Sequence, residues 1–276
     1  MTSRFAGKAV IVTGSSNGIG RGAAQLFAEE GAKITITGRS EKALTETFDL
    51  LVSVGAKPED ILRVRGDLTD EAIQKTIVEE TLAKFGKIDI LINNAGALCQ
   101  DSTEQAGFEQ SMETYDYVMN LNLRTVITLT KLAMPHLIKA KGEVVMVSSI
   151  CAMPFNNPTY PYYSISKAAL DQLTRSLAAT YIKEGVRVNS VNPGWISTTI
   201  LQKQGVTADQ QADLESTLAT TGNLIPIGRQ PREVAELIAF LADRSKSSYI
   251  IGQCMGIDGG ASLYIPMFQS LTELDK

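Results

Sequence analysis

Tyr163 and Lys167 stand four residues apart in the stretch Tyr162-Tyr163-Ser164-Ile165-Ser166-Lys167. On a helix, positions i and i+4 lie on one face, so a phenol and an ammonium placed this way share a pocket. The cation favours the phenolate and draws the tyrosine pKa down from its ordinary value of about 10. A tyrosine tuned towards neutrality exchanges protons at physiological pH, as a general acid/base must. The same spacing also describes a lysine snorkelling beside a half-buried ring. The surrounding elements have to decide between the two.

Those elements alternate. Strands are expected at 9–12, 33–37, 61–65, 88–92, 144–147, 186–191 and 250–257. Helices are expected at 18–30, from the Ser40 cap to about Val54, from a Thr69 or Asp70 cap to Phe85, and at 112–137, 160–183 and 231–241. Strands alternating with helices imply right-handed βαβ crossovers and a parallel sheet. The strands are continuous Val/Ile runs, which suits a sheet covered on both faces. The expected fold is α/β, a three-layer doubly wound Rossmann-like sheet of about seven strands forming one domain over 1–276. The segments 97–111 and 195–225 are the least regular. The stretch 195–225 reads as a substrate segment or lid.

Several motifs fall where such a sheet binds ligands. After the first strand the chain reads Thr13-Gly14-Ser15-Ser16-Asn17-Gly18-Ile19-Gly20. Glycines there let the backbone turn tightly against a pyrophosphate, and the following helix aims its N-terminal N–H groups at the phosphates. The spacing is G-x-x-x-G-x-G, and the bland alternative is a Gly-rich turn without a ligand. The second strand ends in Thr37-Gly38-Arg39-Ser40, with a base and no acid. An acid at this place holds an NAD ribose and an arginine a 2′-phosphate, so NADP(H) is favoured over NAD(H). The fourth strand ends in Asn93-Asn94-Ala95-Gly96, small enough for a cofactor to lie against its backbone. The fifth ends in Ser148-Ser149, and the sixth runs into Pro193-Gly194-Trp195-Ile196-Ser197-Thr198. Ser148 and Ser149 point to opposite faces by strand alternation, and spacing alone does not choose between them.

Composition narrows the function classes. The chain has 276 residues, 44% of them hydrophobic, and a net charge of −4, so neither nucleic acid nor an anionic membrane is an expected partner. Three cysteines, Cys99, Cys151 and Cys254, form no zinc pattern and suggest a reducing compartment. The single histidine, His136, is expected near a helix end and builds no metal site. No long apolar run suggests a signal peptide or a membrane span, and a cytoplasmic protein is expected.

Gly14/Gly18/Gly20, Asn93-Asn94-Ala95-Gly96, Ser149, Tyr163-x-x-x-Lys167 and Pro193-Gly194 occur in one order that resembles the short-chain dehydrogenase/reductase family over about residues 5–262. The resemblance implies a nicotinamide cofactor, with Tyr163 as general acid/base and Lys167 as the lysine that holds the nicotinamide ribose. It makes Ser149 the serine that orients the substrate oxygen, and Asn122, rather than its neighbour Asn120, the support of a water relay. It also implies that Asp67 and Leu68 contact adenine and that Ile196 and Thr198 contact the carboxamide. Gly38 sits where NAD-preferring members carry an acid.

The expected reaction is hydride transfer between NADP(H) and a carbonyl or secondary alcohol carbon of a mid-sized, largely apolar small molecule. An NAD-preferring alcohol dehydrogenase is the nearest alternative. A non-catalytic cofactor-binding regulator is the alternative from another class. The stretch Gly252 to Gly260 resembles the family's last strand, which implies a homotetramer or a dimer. The tail 261–276 is apolar enough to close over a pocket.

Overall fold

The computed structural model describes residues 3–98, 107–153, 158–198, 207, 209–210, 212–213 and 230–263. Most of the expected 195–225 lid, nearly all of the 261–276 tail, and Cys99 lie outside these residues.

Seven strands form one sheet: β1 (Ala9–Val12), β2 (Lys33–Gly38), β3 (Ile61–Arg65), β4 (Ile90–Asn93), β5 (Glu143–Val147), β6 (Arg187–Pro193) and β7 (Cys254–Ile257). Every pairing is parallel, in the order β3-β2-β1-β4-β5-β6-β7. The order reverses between β1 and β4. That switch point opens a crevice beyond the strands' carboxyl ends.

The long helices are α1 (Gly18–Glu29), α2 (Glu41–Ser53), α3 (Glu71–Phe85), α4 (Met112–Met119), α5 (Thr125–Ala140), α6 (Pro161–Tyr181) and α7 (Pro231–Ala242). Val10, Val12, Ile90, Ile92, Val145 and Val147 face one cluster with α1, α2 and α7. Ile11, Leu91, Val144 and Met146, the alternate residues, face a second cluster with α3, α5 and α6. The period of two in side-chain direction sends a continuous apolar run into two separate cores.

Local signals set the helix ends. Ser40 accepts the Ala43 N–H at the start of α2. At α3 the cap is Asp70, not Thr69, accepting from Ala72 N–H, and Gly86 ends the helix at φ +76°. The left-handed conformation costs glycine little, which is why it stops a helix cleanly.

The expected single helix over 112–137 is two helices. A π-helical turn, Asn120–Arg124, separates α4 from α5 and holds Asn122. Helical periodicity is blind to one inserted residue of this kind, and such turns often mark functional positions. Strand ends also differ: β4 begins at Ile90 rather than 88, β6 extends to Pro193, and β7 is confined to Cys254–Ile257. His136 lies inside α5, just after Pro135, in the helix's final third.

Candidate active site

The chemistry-bearing residues meet at the carboxyl ends of β4, β5 and β6. α6 crosses that edge and carries Tyr163 and Lys167, exposed only 8% and 3%. Lys167 Nζ donates to the carbonyl of Val147, the last residue of β5, at 2.8 Å. It stands over the Tyr163 ring, 5.6 Å from its centroid. The two side chains therefore share a pocket, as their spacing requires.

Their electrostatics differ from the sequence expectation. Burial pushes the Tyr163 phenol well above its usual value, and a hydrogen bond with Ser149 opposes this without reversing it. Burial outweighs any pull from Lys167, whose ammonium donates to a carbonyl and stands over the ring. Burial also lowers Lys167, to about 8, against the opposing pull of Asp171 and Cys151. The phenol is thus held protonated at neutral pH.

Of the two adjacent serines, Ser149 is the one that joins Tyr163. It also caps the short turn Ile150–Ala152 by accepting from Cys151 N–H at 3.2 Å. Ser148 turns the other way and donates to the Lys167 carbonyl at 3.2 Å. Tyr162 likewise points away, donating to the Gln110 carbonyl at 3.2 Å. Tyr160 and Trp195 pack with Cys151 around Leu98 and Tyr163, forming an apolar wall beside the phenol.

The π-turn delivers Asn122, fully buried, into the same place. Its amide donates to Ala97 O and Ser166 Oγ at 2.9 and 3.0 Å, and its carbonyl accepts from Ala97 N–H at 2.9 Å. Ser166 in turn donates to the Tyr163 carbonyl at 2.7 Å. A Cβ on Gly96 would stand 3.2 Å from Asn122 Oδ1 and 3.4 Å from Lys167 Nζ, so a bare backbone borders these groups.

The Gly-rich turn lies alongside. Gly14 and Gly18 have φ of +63° and +53°, the left-handed region that favours glycine. A Cβ on Gly14 would meet Ala95 at 2.9 Å, and one on Gly18 would meet Thr198 at 3.1 Å. Neither Asn17 nor an acidic residue caps the first turn of α1 with a side chain. Not every predicted residue presents its side chain here. Ser15 is fully buried, donating to Val12 O and accepting from Thr37 N–H, so its hydroxyl stitches β1 to β2. Asn94 donates to the carbonyls of Thr13 and Gly14, pinning the turn to the end of β4. Ile19 and Ile196 pack partly buried against the core on the α1 side.

At the far end of the crevice, Arg39 Nη1 lies 3.8 Å from Asp67 Oδ2, with both side chains exposed to solvent. Burial would raise Asp67, but hydrogen bonds from Thr69 and the Arg39 charge hold it below its ordinary value. Leu68 is buried among the core residues behind α3 and α5. Gly38 has no room for a side chain, since a Cβ would stand 2.8 Å from Ser16 Cβ. Gly194 is required in the same way, with a Cβ 2.7 Å from that of Asp258.

Asp171 and Asn192 complete the surroundings, and the motifs do not point to them. Asp171 had a signal: it is one more i+4 step along the face that carries Tyr163 and Lys167.

A family model described as enoyl-(acyl carrier protein) reductase matches residues 14–262. A short-chain dehydrogenase/reductase of unknown function from Caenorhabditis elegans, solved with cofactor, is 46% identical, with a TM-score of 0.93 over 96% of this chain and 98% of that one. The chain belongs to the short-chain dehydrogenase/reductase family. Glucose dehydrogenase of Caenorhabditis elegans is 47% identical, covering 95% of this chain and 100% of that one, with a TM-score of 0.80. A 3-oxoacyl-[acyl-carrier-protein] reductase of Thermotoga maritima is 36% identical over 93% of this chain and 98% of its own. As a short-chain dehydrogenase/reductase, the protein is an oxidoreductase acting on CH–OH groups, and the family binds a nicotinamide cofactor. The residues fit such a group: a bare Gly96 beside Lys167, Gly14 and Gly18 in the left-handed region, and a start of α1 with no side-chain cap form a cradle of open backbone. Among the described residues no helix is long and apolar enough to cross a membrane.

Proposed function

We propose that the protein is an NADP(H)-dependent oxidoreductase that interconverts a carbonyl and a secondary alcohol on a mid-sized, largely apolar small molecule. The observation that carries the reaction is the buried meeting of Ser149, Tyr163 and Lys167 at one sheet edge. When bound, the nicotinamide supplies or accepts the hydride. Ser149 and Tyr163 hydrogen-bond the substrate oxygen, and Tyr163 gives its proton to that oxygen in the direction of reduction. A phenol that burial keeps protonated at neutral pH suits this role as an acid. Lys167 would hold the nicotinamide ribose, and Asn122 supports the proton's route behind it.

The turn Gly14, Ser16, Asn17, Gly18 and Gly20 would hold the pyrophosphate, with Ser15, Ile19 and Asn94 shaping it. Arg39 would take the 2′-phosphate, Asp67 and Leu68 would contact the adenine, and Ala95 and Gly96 would leave their backbone open to the cofactor. Pro193 and Gly194 set the turn that brings Ile196 and Thr198 to the carboxamide. The NADP(H) preference rests on Gly38, where Ser16 leaves no space for a ribose-binding acid, beside Arg39. The NAD(H) alternative has one observation in its favour: Arg39 already has a carboxylate partner in Asp67.

An apolar substrate is supported by the wall of Leu98, Tyr160 and Trp195 beside Tyr163. We further propose one domain, carried by the single sheet, a cytoplasmic location, and a homotetramer or dimer, whose test is the mass in solution. The deciding assay is NADPH and NADH oxidation with acetophenone and cyclohexanone, against NADP+ reduction with D-glucose. Tyr163→Phe is expected to lose nearly all turnover while still binding cofactor. Turnover near that of the parent in this variant sinks the assignment.

A further inference from the structure

A second buried layer lies behind the reacting groups. Asp171 is one helical turn beyond Lys167 on α6 and 5% exposed, and Asn192, near the end of β6, is fully buried. The Asn192 amide donates to Asp171 Oδ2 at 2.8 Å and to the main-chain carbonyl of Ser149 at 3.0 Å. One side chain thus ties three elements: the end of β5, the end of β6 and the face of α6. Ser190 Oγ completes the cluster, 3.1 Å from Asn192 Oδ1 and 3.4 Å from Asp171 Oδ1.

We propose that Asp171 and Asn192 are positioning residues for the reaction: Asn192 fixes the backbone that aims Ser149 at Tyr163, and the Asp171 carboxylate keeps Lys167 charged in its buried pocket. This rests on the assignment of Ser149, Tyr163 and Lys167 to the chemistry.

Buried polar groups are held together only when their donors and acceptors are satisfied, and a buried charge needs an opposite charge. Among the described residues the Lys167 ammonium donates to the neutral Val147 carbonyl, which leaves its charge to be balanced through space. The groups acting on it are Tyr163 and Asp171 on its own helix and Cys151 beyond β5. Asp171 is the only carboxylate among them. On its far side Asp171 meets neutral groups, Ser190 and Asn192 of β6, while its main-chain carbonyl accepts from Cys254 Sγ of β7 at 3.7 Å. Arg175 donates to Cys254 Sγ at 3.5 Å and to Gln172 Oε1 at 3.1 Å, and it is not among the groups that act on Lys167. The negative charge favours ammonium over amine. Its removal must therefore move Lys167 deprotonation to lower pH.

The two roles separate by mutation. Asp171→Asn is nearly isosteric and removes the charge while leaving an acceptor for Asn192. Asn192→Ala keeps the charge and cuts the tether. Lys167 is titrated directly by side-chain NMR of lysine-labelled protein, its signal identified by its loss in Lys167→Met, so no substrate is needed. The expected midpoint is about 8 in the parent, and lower by about one unit or more in Asp171→Asn. In Asn192→Ala the midpoint is expected to stay, while kcat with NADPH and acetophenone falls about tenfold or more, the scale of a misplaced catalytic group. The high-pH limb of kcat is expected to follow the NMR midpoint in Asp171→Asn. Thermal melts confirm that both variants are folded. An unmoved midpoint in Asp171→Asn, or full kcat in folded Asn192→Ala, overturns the proposal. If Tyr163→Phe itself keeps its turnover, the underlying assignment has failed instead.

Discussion

Replacing Arg39 by alanine tests the cofactor preference with a size that follows from the geometry. The guanidinium is 63% exposed, and it pairs with Asp67 at 3.8 Å. An exposed ion pair of this kind contributes about 0–1 kcal/mol. Losing it should move the melting temperature of a chain this long by no more than about 3 °C. A 2′-phosphate on the same guanidinium would make a charge-assisted contact, of order 1.5–3 kcal/mol. Exposure puts the value at the lower end, and about 1.4 kcal/mol is tenfold in affinity. NADPH binding to Arg39→Ala is therefore expected to weaken about tenfold, and NADH binding by less than about twofold. Titration of nicotinamide fluorescence reads both affinities without a substrate. The NADPH effect should shrink as salt rises, because the contact is open to screening. Equal weakening of both cofactors shows that Arg39 acts through the fold. Unchanged NADPH binding removes the 2′-phosphate argument altogether.

Two further outcomes follow from the packing. A Cβ on Gly20 would stand against Asn94 Nδ2 and 2.5 Å from Gly14 O, both part of the clamp on the Gly-rich turn. Gly20→Ala is expected to destabilise by roughly 1–3 kcal/mol, seen as a lower melting temperature together with weaker binding of both cofactors. A variant as stable as the parent contradicts this packing. Asp89, 5% exposed, accepts from Ala9 N–H and pairs with Lys8 and Lys87 at the opposite sheet edge. Burial would raise it, but these partners together hold it below 3.8. A carboxyl depressed on folding stabilises above its unfolded pKa and loses that contribution as pH falls through the folded value. Asp89→Asn should thus lower the melting temperature at pH 7, and the difference should shrink as pH falls into the acid range. A difference that does not change with pH shows that charge is not the source.

Much of this protein is legible along the chain. The alternating strands and helices carry the sheet, and the central strands β1, β4 and β5 read as apolar runs because both of their faces are covered. Ser40 as a cap and Gly86 as a stop follow from local backbone chemistry alone. The i+4 spacing puts Tyr163 and Lys167 on one face, and strand ends put the motifs on one edge. These are short-range rules, and the sequence contains everything they need.

The tertiary structure decided the rest. Helical periodicity runs through 112–137 without revealing the π-turn that buries Asn122. Spacing leaves Ser148 and Ser149 equivalent, and only the position of α6 gives one to Tyr163 and the other to the Lys167 carbonyl. Ser15 and Asn94 stand in the cofactor motifs, and only the packed structure shows that their side chains also hold β1, β2 and β4 together. The phenol moves up in pKa rather than down, because burial outweighs a cation that is hydrogen-bonded elsewhere. Asn192 touches Ser149, 43 positions away, and Asp171, 21 positions away. The sequence by itself determined which groups are present and which local element carries each. Their protonation and their partners depend on desolvation and on contacts between segments distant along the chain, and these exist only once β5, β6 and α6 have packed together.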